Sequence, residues 1–166
     1  MKFLSLSRGL KAIIDDKDYG WASKFKWHVA PNGRGENPYV TRKARLGDKW
    51  THLKLHRELM GAKQNEVVDH INGDVLDNRR ENLRVCTQAE NSRNRRRNRN
   101  SISKYKGVTY SSWAARTNRK PWHVRINVNG CRKTIGWYET EEAACQAYKE
   151  ASKKFYGEFA RFDEVV

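Results

Sequence analysis

The chain has 166 residues, enough for one domain or two small ones, and 37% of them are hydrophobic. Lys and Arg outnumber Asp and Glu by 34 to 19, and the resulting net charge of +15 indicates a polyanionic partner. No apolar stretch approaches the roughly 20 residues of a membrane span, and Met1-Lys2-Phe3 leads into no signal peptide. We therefore expect a cytoplasmic protein without a membrane partner.

Residues 1–66 are expected to form a β-rich lead-in, in which turn signals separate short runs of strand-forming residues. A short helix is predicted over Asp18 to Phe25, and a loop tip over Arg34 to Asn37. The predicted strands are Phe3 to Leu6, Ala12 to Ile14, Trp27 to Val29, Tyr39 to Arg42 and Thr51 to Leu55.

The last of these strands contains a candidate site residue at its exit. Its alternation would turn Leu53 and Leu55 inward and leave Lys54 and His56 outward. An outward His56 could reach a phosphate, so it is a candidate catalytic residue. The alternative is an ordinary surface or core histidine with a structural partner.

The most specific pattern lies between residues 67 and 91. Asp69 and His70 end a short β-branched run, a turn-rich loop follows, and Leu83 to Cys86 is a second apolar run. Thr87 is a candidate N-cap for a helix that reaches about residue 96. The order strand, loop, strand, helix can bring Asp69, His70 and Asn91 around one ion.

This stretch resembles the ββα-metal motif of HNH homing endonucleases, in the phage and intron-encoded branch that reads DH-x-N/D-G…DN…NLR…T…EN. The resemblance implies that His70 is the general base, that Asp69 and Asn91 bind the metal, and that Asn82 orients the loop. The third letter is Asn instead of His, and oxygen ligands suit Mg²⁺ or Mn²⁺ better than Zn²⁺. An ordinary hairpin turn with a surface histidine is the alternative.

The chemistry of phosphodiester hydrolysis explains these residue types. The bond is very slow to hydrolyse, so the water must be activated and the leaving oxygen neutralised. A neutral imidazole is a suitable base near pH 7, and a divalent ion stabilises charge at the leaving oxygen. We expect one divalent metal and no small-molecule cofactor. If the chain is phage-encoded, its compartment is the host cytoplasm.

An arginine-rich segment, residues 93–103, follows the motif. From residue 91 to residue 138 the chain holds 13 Lys or Arg and no Asp or Glu. Such a segment has little to bury, so we predict a polar, extended linker that contacts phosphates. A membrane-binding segment would need an amphipathic helix, which this run lacks. The predicted contacts are Arg93, Arg95, Arg96, Arg97 and Arg99.

The third segment, residues 104–166, shows the pattern of a small sheet covered by one helix. Strands are predicted at Gly107 to Tyr110, Trp122 to Val128 and Arg132 to Ile135, and Asn129-Gly130 predicts a hairpin between the last two. Thr140 is the expected N-cap of an amphipathic helix. The sheet face that carries Arg125 and Asn127 is then left for solvent or DNA.

This segment resembles the APETALA/ethylene-response-factor DNA-binding domain, through KYKGV, W-x-V-x-I, IGWYET-x-EEAA-x-AY and G-E-F-A-R-F. That family places its three-stranded sheet in the major groove. The chain has Lys, Thr and Asn where plant members usually have Arg, and the insertion at residues 113–115 leaves the first turn uncertain. A purely structural sheet is the alternative. By resemblance, the DNA-contacting positions are Lys106, Thr109, Arg125, Asn127, Arg132 and Thr134.

The cysteines Cys86, Cys131 and Cys145 are widely spaced and form no C-x-x-C pair. This spacing supports neither a disulfide framework nor a zinc ribbon. We expect three buried free thiols in a reducing compartment.

Together these patterns predict an α+β protein with an HNH nuclease domain at residues 1–92, a linker at 93–103 and a DNA-binding domain at 104–166. Within the first domain, residues 1–66 are the lead-in and 67–96 the ββα-metal core. The expected function is site-specific cleavage of double-stranded DNA, with a monomer favoured. A catalytically silent DNA-binding regulator and an RNA-binding protein are the alternatives; A-form RNA hides the groove that the sheet would read.

Overall fold

The computed structural model describes residues 1–30, 39–94, 97 and 100–161. The chain divides into two compact units, Met1–Asn91 and Ser92–Val166. Helices and strands occur in both units, so the α+β class is confirmed. The expected loop tip at residues 34–37 lies outside the described residues. In the part of the chain that is described, no helix is long and apolar enough to cross a membrane.

The first unit is built from three small antiparallel sheets and short helices. The sheets pair β1 with β2, order three strands as β3-β4-β5, and pair β6 with β7. In chain order the elements are β1 (Lys2–Ser5), β2 (Lys11–Ile14), α1 (Asp16–Ala22), β3 (His28–Ala30), β4 (Tyr39–Leu46), β5 (Lys49–Lys54), α2 (Leu55–Met60), β6 (Val67–His70), β7 (Leu83–Cys86) and α3 (Gln88–Arg93).

The core of this unit collects inward-facing residues from all three sheets. Trp27, Ile14, Leu55 and Val40 are almost completely buried, and the indole of Trp27 donates a 2.8 Å hydrogen bond to the carbonyl of Ala22. Burying a large apolar side chain contributes about 1.5–3 kcal/mol. These residues therefore hold the short sheets together, because two-stranded sheets are marginal on their own.

Helix α2 was not expected, and it overturns the orientation predicted for His56. The strand ends at Lys54, and Leu55 and Leu59, one helical turn apart, are both buried. The period-2 alternation stops where the helix begins, so His56 turns inward and is only 3% exposed. The prediction of an outward His56 was wrong because a strand pattern was extended into a helix.

Helix α3 opens with a reciprocal cap at the expected residue. The Thr87 hydroxyl oxygen accepts a hydrogen bond from the Glu90 amide at 3.2 Å, and the Glu90 carboxylate accepts one from the Thr87 amide at 2.8 Å. The helix ends at Arg93, before the expected end near residue 96, and Asn94 lies in a turn.

The second unit is a three-stranded antiparallel sheet packed against one long helix. Asn129 and Gly130 both have positive φ, which the tight turn between the last two strands requires. Residues 113–115, which the resemblance made an insertion, lie in a short helix. The elements are β8 (Val108–Tyr110), α4 (Ser112–Arg116), β9 (Trp122–Val128), β10 (Cys131–Tyr138) and α5 (Glu141–Tyr156), with strand order β8-β9-β10.

Helix α5 packs closely on the sheet through small and aromatic residues. Ala144, Tyr148 and Ala151 are buried against Val124 of β9 and its neighbours. A Cβ at Gly107 would lie 2.0 Å from the Tyr148 ring, and φ is +73° there, so both space and backbone require glycine. The opposite face of the sheet is left uncovered by α5.

The cysteines differ from expectation at one position. All three are free, and Cys86 and Cys145 are buried, but Cys131 is exposed. Cys131 begins β10 directly after the turn glycine, and strand ends at a hairpin tip project into solvent. The expectation of three buried thiols was therefore wrong for Cys131.

Candidate active site and nucleic-acid interface

His70 is the last residue of β6 and is only 5% exposed. Its Nε2 atom lies 3.4 Å from the Oδ1 atom of Asn78, whose Nδ2 atom donates to the carbonyl of Val75 at 3.0 Å. That second bond fixes the amide, so Oδ1 faces the ring and Nε2 carries the proton. Nδ1 is then the proton acceptor of the neutral ring.

Burial sets the protonation state of His70. Desolvation lowers its pKa from the ordinary value of 6.5, while the Asn78 hydrogen bond and the Asp69 charge oppose that shift. The net direction is downward, so the imidazole is neutral at pH 7. A neutral imidazole held in one tautomer can accept a proton from water.

Asn82 joins the two ends of the loop that follows His70. Its Oδ1 accepts from the amide of Asn72 at 3.0 Å, and its Nδ2 donates to the Asn72 side chain at 3.0 Å and to the carbonyl of Asp77 at 2.8 Å. The Arg79 guanidinium binds the Asp77 carboxylate and lowers its pKa. These bonds tie Asn72 and Asp77 of the loop to Asn82.

Asp69 forms a buried ion pair that the sequence did not suggest. It lies opposite Arg84 in the β6–β7 register, and the Arg84 Nη2 atom is 2.8 Å from its Oδ2 atom. The Arg84 side chain is 12% exposed and the Asp69 side chain 8%. Arg84 could have been predicted as the partner of Asp69. If the run that ends in Asp69 and His70 pairs antiparallel with the run that begins at Leu83, the two residues lie opposite each other.

Asp69 and Asn91 both act on the thiol of Cys86. Burial chiefly raises the pKa of Cys86; the Asp69 charge adds to this, and a hydrogen bond from the Asn91 backbone opposes it. The Asp69 carboxylate and the Asn91 backbone therefore both lie near the Cys86 thiol. Asn91 itself lies in α3 and is half-buried.

The donor chemistry of this region suits a hard cation. Mg²⁺ binds through one or two protein oxygens and keeps several waters, which a carboxylate and an amide can satisfy. In the described residues no group of three His, Cys, Asp or Glu side chains could hold a metal. Binding of a metal ion in this region would therefore depend on the oxygen atoms of Asp69 and Asn91. The Asp69 carboxylate is also paired with Arg84.

The candidate base belongs to a cluster of three rings. The ring centroids of His56 and His70 are 5.0 Å apart, and the Tyr39 ring lies 5.0 Å from His56 and 6.5 Å from His70. The Nδ1 atom of His56 is buried and has no hydrogen-bond partner among the described residues. Nothing in the local sequence pattern marks Tyr39, because its contact with His70 is tertiary.

Burial, with smaller contributions from the nearby His70, Lys54 and Arg57, lowers the pKa of His56 to about 3. His56 is therefore neutral throughout the physiological range. It belongs to the wall of the site and not to an outward phosphate-binding surface.

The arginine-rich segment is described only in part. The guanidinium of Arg93 lies 5.3 Å from the Tyr156 ring centroid, and its carbonyl accepts a hydrogen bond from Lys106. Arg97 is half-buried. The predicted contacts Arg95, Arg96 and Arg99 lie outside the described residues.

The predicted linker is anchored where it meets the sheet. Ser103 is fully buried, and its hydroxyl donates a 2.8 Å hydrogen bond to Glu141 at the start of α5. The Lys104 amide donates to the same carboxylate at 2.8 Å. Ser103, the last residue of the predicted linker, is therefore packed into the second unit.

Five of the six predicted DNA contacts share the uncovered face of the sheet. The register places Thr134 opposite Arg125 and Arg132 opposite Asn127, and Thr109 opposite His123. Lys106 instead precedes β8, where its ammonium binds the Arg93 carbonyl.

An aromatic pair on the same face was missed. The rings of His123 and Trp137 are stacked at 4.1 Å with an interplanar angle of 5°. Their cross-strand pairing depends on a β-bulge between Thr134 and Gly136. A bulge inserts one residue and re-aims the side chains beyond it, so a simple alternation could not predict this pair.

Comparison with known proteins gives one family match, which is local, and two relatives. Residues 49–93 match the HNH endonuclease family. An uncharacterized HNH endonuclease of Acanthamoeba polyphaga mimivirus is 26% identical over 164 residues, which cover 98% of this chain and 79% of that protein. Protein 3.8 of Escherichia phage T7 is 27% identical over 95 residues, covering 57% of this chain and 74% of that protein. No solved structure matches the chain significantly.

The HNH segment, residues 49–93, contains the main candidate site residues. It begins at β5, inside the predicted lead-in, and ends with α3. Asp69, His70, Asn82 and Asn91 all lie within it, as does His56. Tyr39, which contacts two of these histidines, lies just before it.

Proposed function

We propose that this protein is a metal-dependent, site-specific DNA endonuclease of the homing type. The observation that carries the proposal is His70, a buried neutral imidazole held in one tautomer, next to Asp69 within the HNH segment.

His70 acts as the general base. Its Nδ1 atom takes a proton from the attacking water, while Asn78 keeps the other nitrogen protonated. The proton then resides on the imidazolium, and the Asp69 charge beside it favours that state. Asn82 contributes indirectly, because its bonds to both ends of the loop keep His70 and Asn78 in register.

Asp69 and Asn91 would hold the metal through oxygen atoms, and Mg²⁺ or Mn²⁺ fits that donor set. When bound, the ion supplies positive charge at the scissile phosphate. Arg84 neutralises part of the Asp69 charge and orients its carboxylate. Its guanidinium therefore tunes how strongly Asp69 binds a cation.

Recognition of the site is assigned to the second unit. The uncovered sheet face, with Arg125, Asn127, Arg132, Thr109 and Thr134, would read base edges in the major groove. The arginine-rich segment would bind phosphates without sequence preference. The chain works as a monomer in this proposal.

A catalytically silent DNA-binding regulator is a second candidate. The buried Asp69–Arg84 ion pair favours it, because a carboxylate already paired at 2.8 Å binds a cation less readily. The two candidates differ only in whether phosphodiester bonds are broken.

Supercoiled plasmid nicking separates them. We expect conversion to open-circular or linear plasmid in Mg²⁺ or Mn²⁺, and none in excess chelator, since the oxygen donors of Asp69 and Asn91 need a hard cation. Gel electrophoresis over time measures the rate. Intact plasmid in every metal, together with retained DNA binding, would support the silent regulator.

Reversing the charge at Arg125 is expected to lower the affinity for target DNA by about 10-fold or more, and that for scrambled DNA much less. A side chain that reads a base contributes roughly 1–3 kcal/mol of discrimination. Fluorescence anisotropy with Arg125→Glu measures both affinities. Arg116→Glu, an exposed arginine of α4 off the sheet face, makes the same charge change and should preserve the preference. Equal losses for both duplexes would contradict the reading role.

A further inference from the structure

One face of the β3-β4-β5 sheet carries a row of cations and aromatic rings. Residues 39, 41, 43 and 45 of β4 share this face, and the register sets Thr41 opposite Lys54, Lys43 opposite His52 and Arg45 opposite Trp50. We name it the ribbon face, and its members are Tyr39, Lys54, His52, Lys43, Arg45 and Trp50.

The opposite face of the same strands is already occupied. Val40 is completely buried in the core, and Arg42 forms a two-point ion pair with Glu58 at 2.8 and 2.6 Å. The Arg42 guanidinium also lies 4.0 Å from the Phe25 ring centroid. The cation on the opposite face, Arg42, is therefore already used inside the unit.

The ribbon face begins at the candidate active site. Tyr39 contacts the rings of His56 and His70, and the Lys54 ammonium lies 4.5 Å from the Tyr39 ring centroid. The next rings outward are His52 and His28, whose centroids are 5.5 Å apart. Side chains on this one face therefore extend from the rings beside His70 to the hairpin tip.

The far end of the ribbon face is exposed and basic. Trp50 is 71% exposed, and Lys43 and Arg45 are exposed beside it. In the described strands no acidic residue occupies this face. Asp48, in the turn, lies 3.5 Å from Arg45, but both are so exposed that water screens the pair. An exposed indole among cations suits a polyanion with aromatic faces better than an apolar protein surface.

We propose that the ribbon face is a second DNA-binding surface, which guides the duplex to His70. The inference rests on the proposed function, because it assigns the path by which that substrate reaches the base. From Tyr39 to Arg45 the strand extends roughly 20 Å, or about six base pairs. A two-stranded ribbon fits the major groove of B-form DNA, whereas the narrow groove of A-form RNA excludes it.

The test uses the full chain with Lys43, Arg45 and Trp50 all replaced by alanine. We expect the slope of log affinity against log salt to fall by about two, one for each lost phosphate contact. Plasmid nicking under subsaturating conditions should slow by roughly 10-fold or more. Lys17→Ala with Lys24→Ala removes the same charge from exposed positions of the first unit off this face, and should change neither.

Photo-crosslinking supplies a readout that does not need cleavage. A benzoylphenylalanine in place of Trp50 should crosslink to a random-sequence DNA duplex, and the same group in place of Lys17 should not. If the protein crosslinks to DNA through position 50 but nicks no plasmid, the nuclease assignment is wrong and DNA binding by the ribbon face is supported. No crosslink at position 50, or a preference for duplex RNA, overturns the inference. An unchanged salt slope in a folded triple variant would overturn it as well.

Discussion

Replacing His70 with alanine is expected to reduce plasmid cleavage by roughly 10²–10⁴-fold, the range that general-base catalysis contributes. DNA affinity should stay within a few-fold of wild type, because the buried imidazole handles a proton and does not face the solvent as a phosphate contact. Nicking rates at saturating protein, measured beside binding by anisotropy, separate the two quantities.

The same substitution leaves space for a small base. Imidazole added to the His70→Ala protein should restore part of the activity, whereas a variant that fails only by misfolding would not respond. His70→Gln, which keeps a hydrogen-bonding side chain next to Asn78, should be equally inactive and more stable. Cleavage at the wild-type rate by either variant would show that another group takes the proton.

The candidate site could be predicted where its chemistry is local in sequence. Asp69, His70 and Asn82 are joined by one loop, and the bonds of Asn82 to Asn72 and Asp77 close that loop without help from distant segments. Turn-forming residues and a short hairpin are enough to specify such a structure.

Prediction failed where the contacts are tertiary. His56 was predicted to face outward at the exit of a strand, but helix α2 begins at Leu55 and turns His56 toward His70. Tyr39 reaches the same site from a different sheet. Sequence patterns therefore identified the site residues that are close together in the chain, and missed the contacts made by residues from distant segments.

In the second unit the same rule explains the outcome. Regular alternation in β9 and the Asn129-Gly130 turn are sufficient to predict the two neighbouring strands and their faces. The stacked His123 and Trp137 required knowledge of a bulge, and the exposure of Cys131 depended on how far β10 extends toward the turn.

Acid is expected to destabilise the protein through His56. In the unfolded chain this imidazole titrates near 6.5, whereas burial lowers its pKa to about 3 in the folded protein. Between these values the unfolded chain binds a proton that the folded chain does not. The stabilising contribution is complete above pH 6.5 and is lost by about 1.4 kcal/mol per pH unit as the pH falls toward 3. Between pH 7 and pH 5 this amounts to about 2 kcal/mol.

Denaturant unfolding at pH 7 and pH 5 measures this loss, and the difference between wild type and variant isolates His56 from other titrating groups. His56→Phe and His56→Gln both remove the ionisable ring, one with an apolar side chain of similar shape and one with a polar side chain. Each should reduce the drop in unfolding free energy between the two pH values by about 2 kcal/mol, whatever its effect at pH 7. His70, Tyr39, Lys54 and Arg57 surround this ring and remain in both variants. If both variants lost as much stability in acid as wild type, the proton would have to be absorbed by His70, and the wall of the active site would be more open to water than its burial indicates.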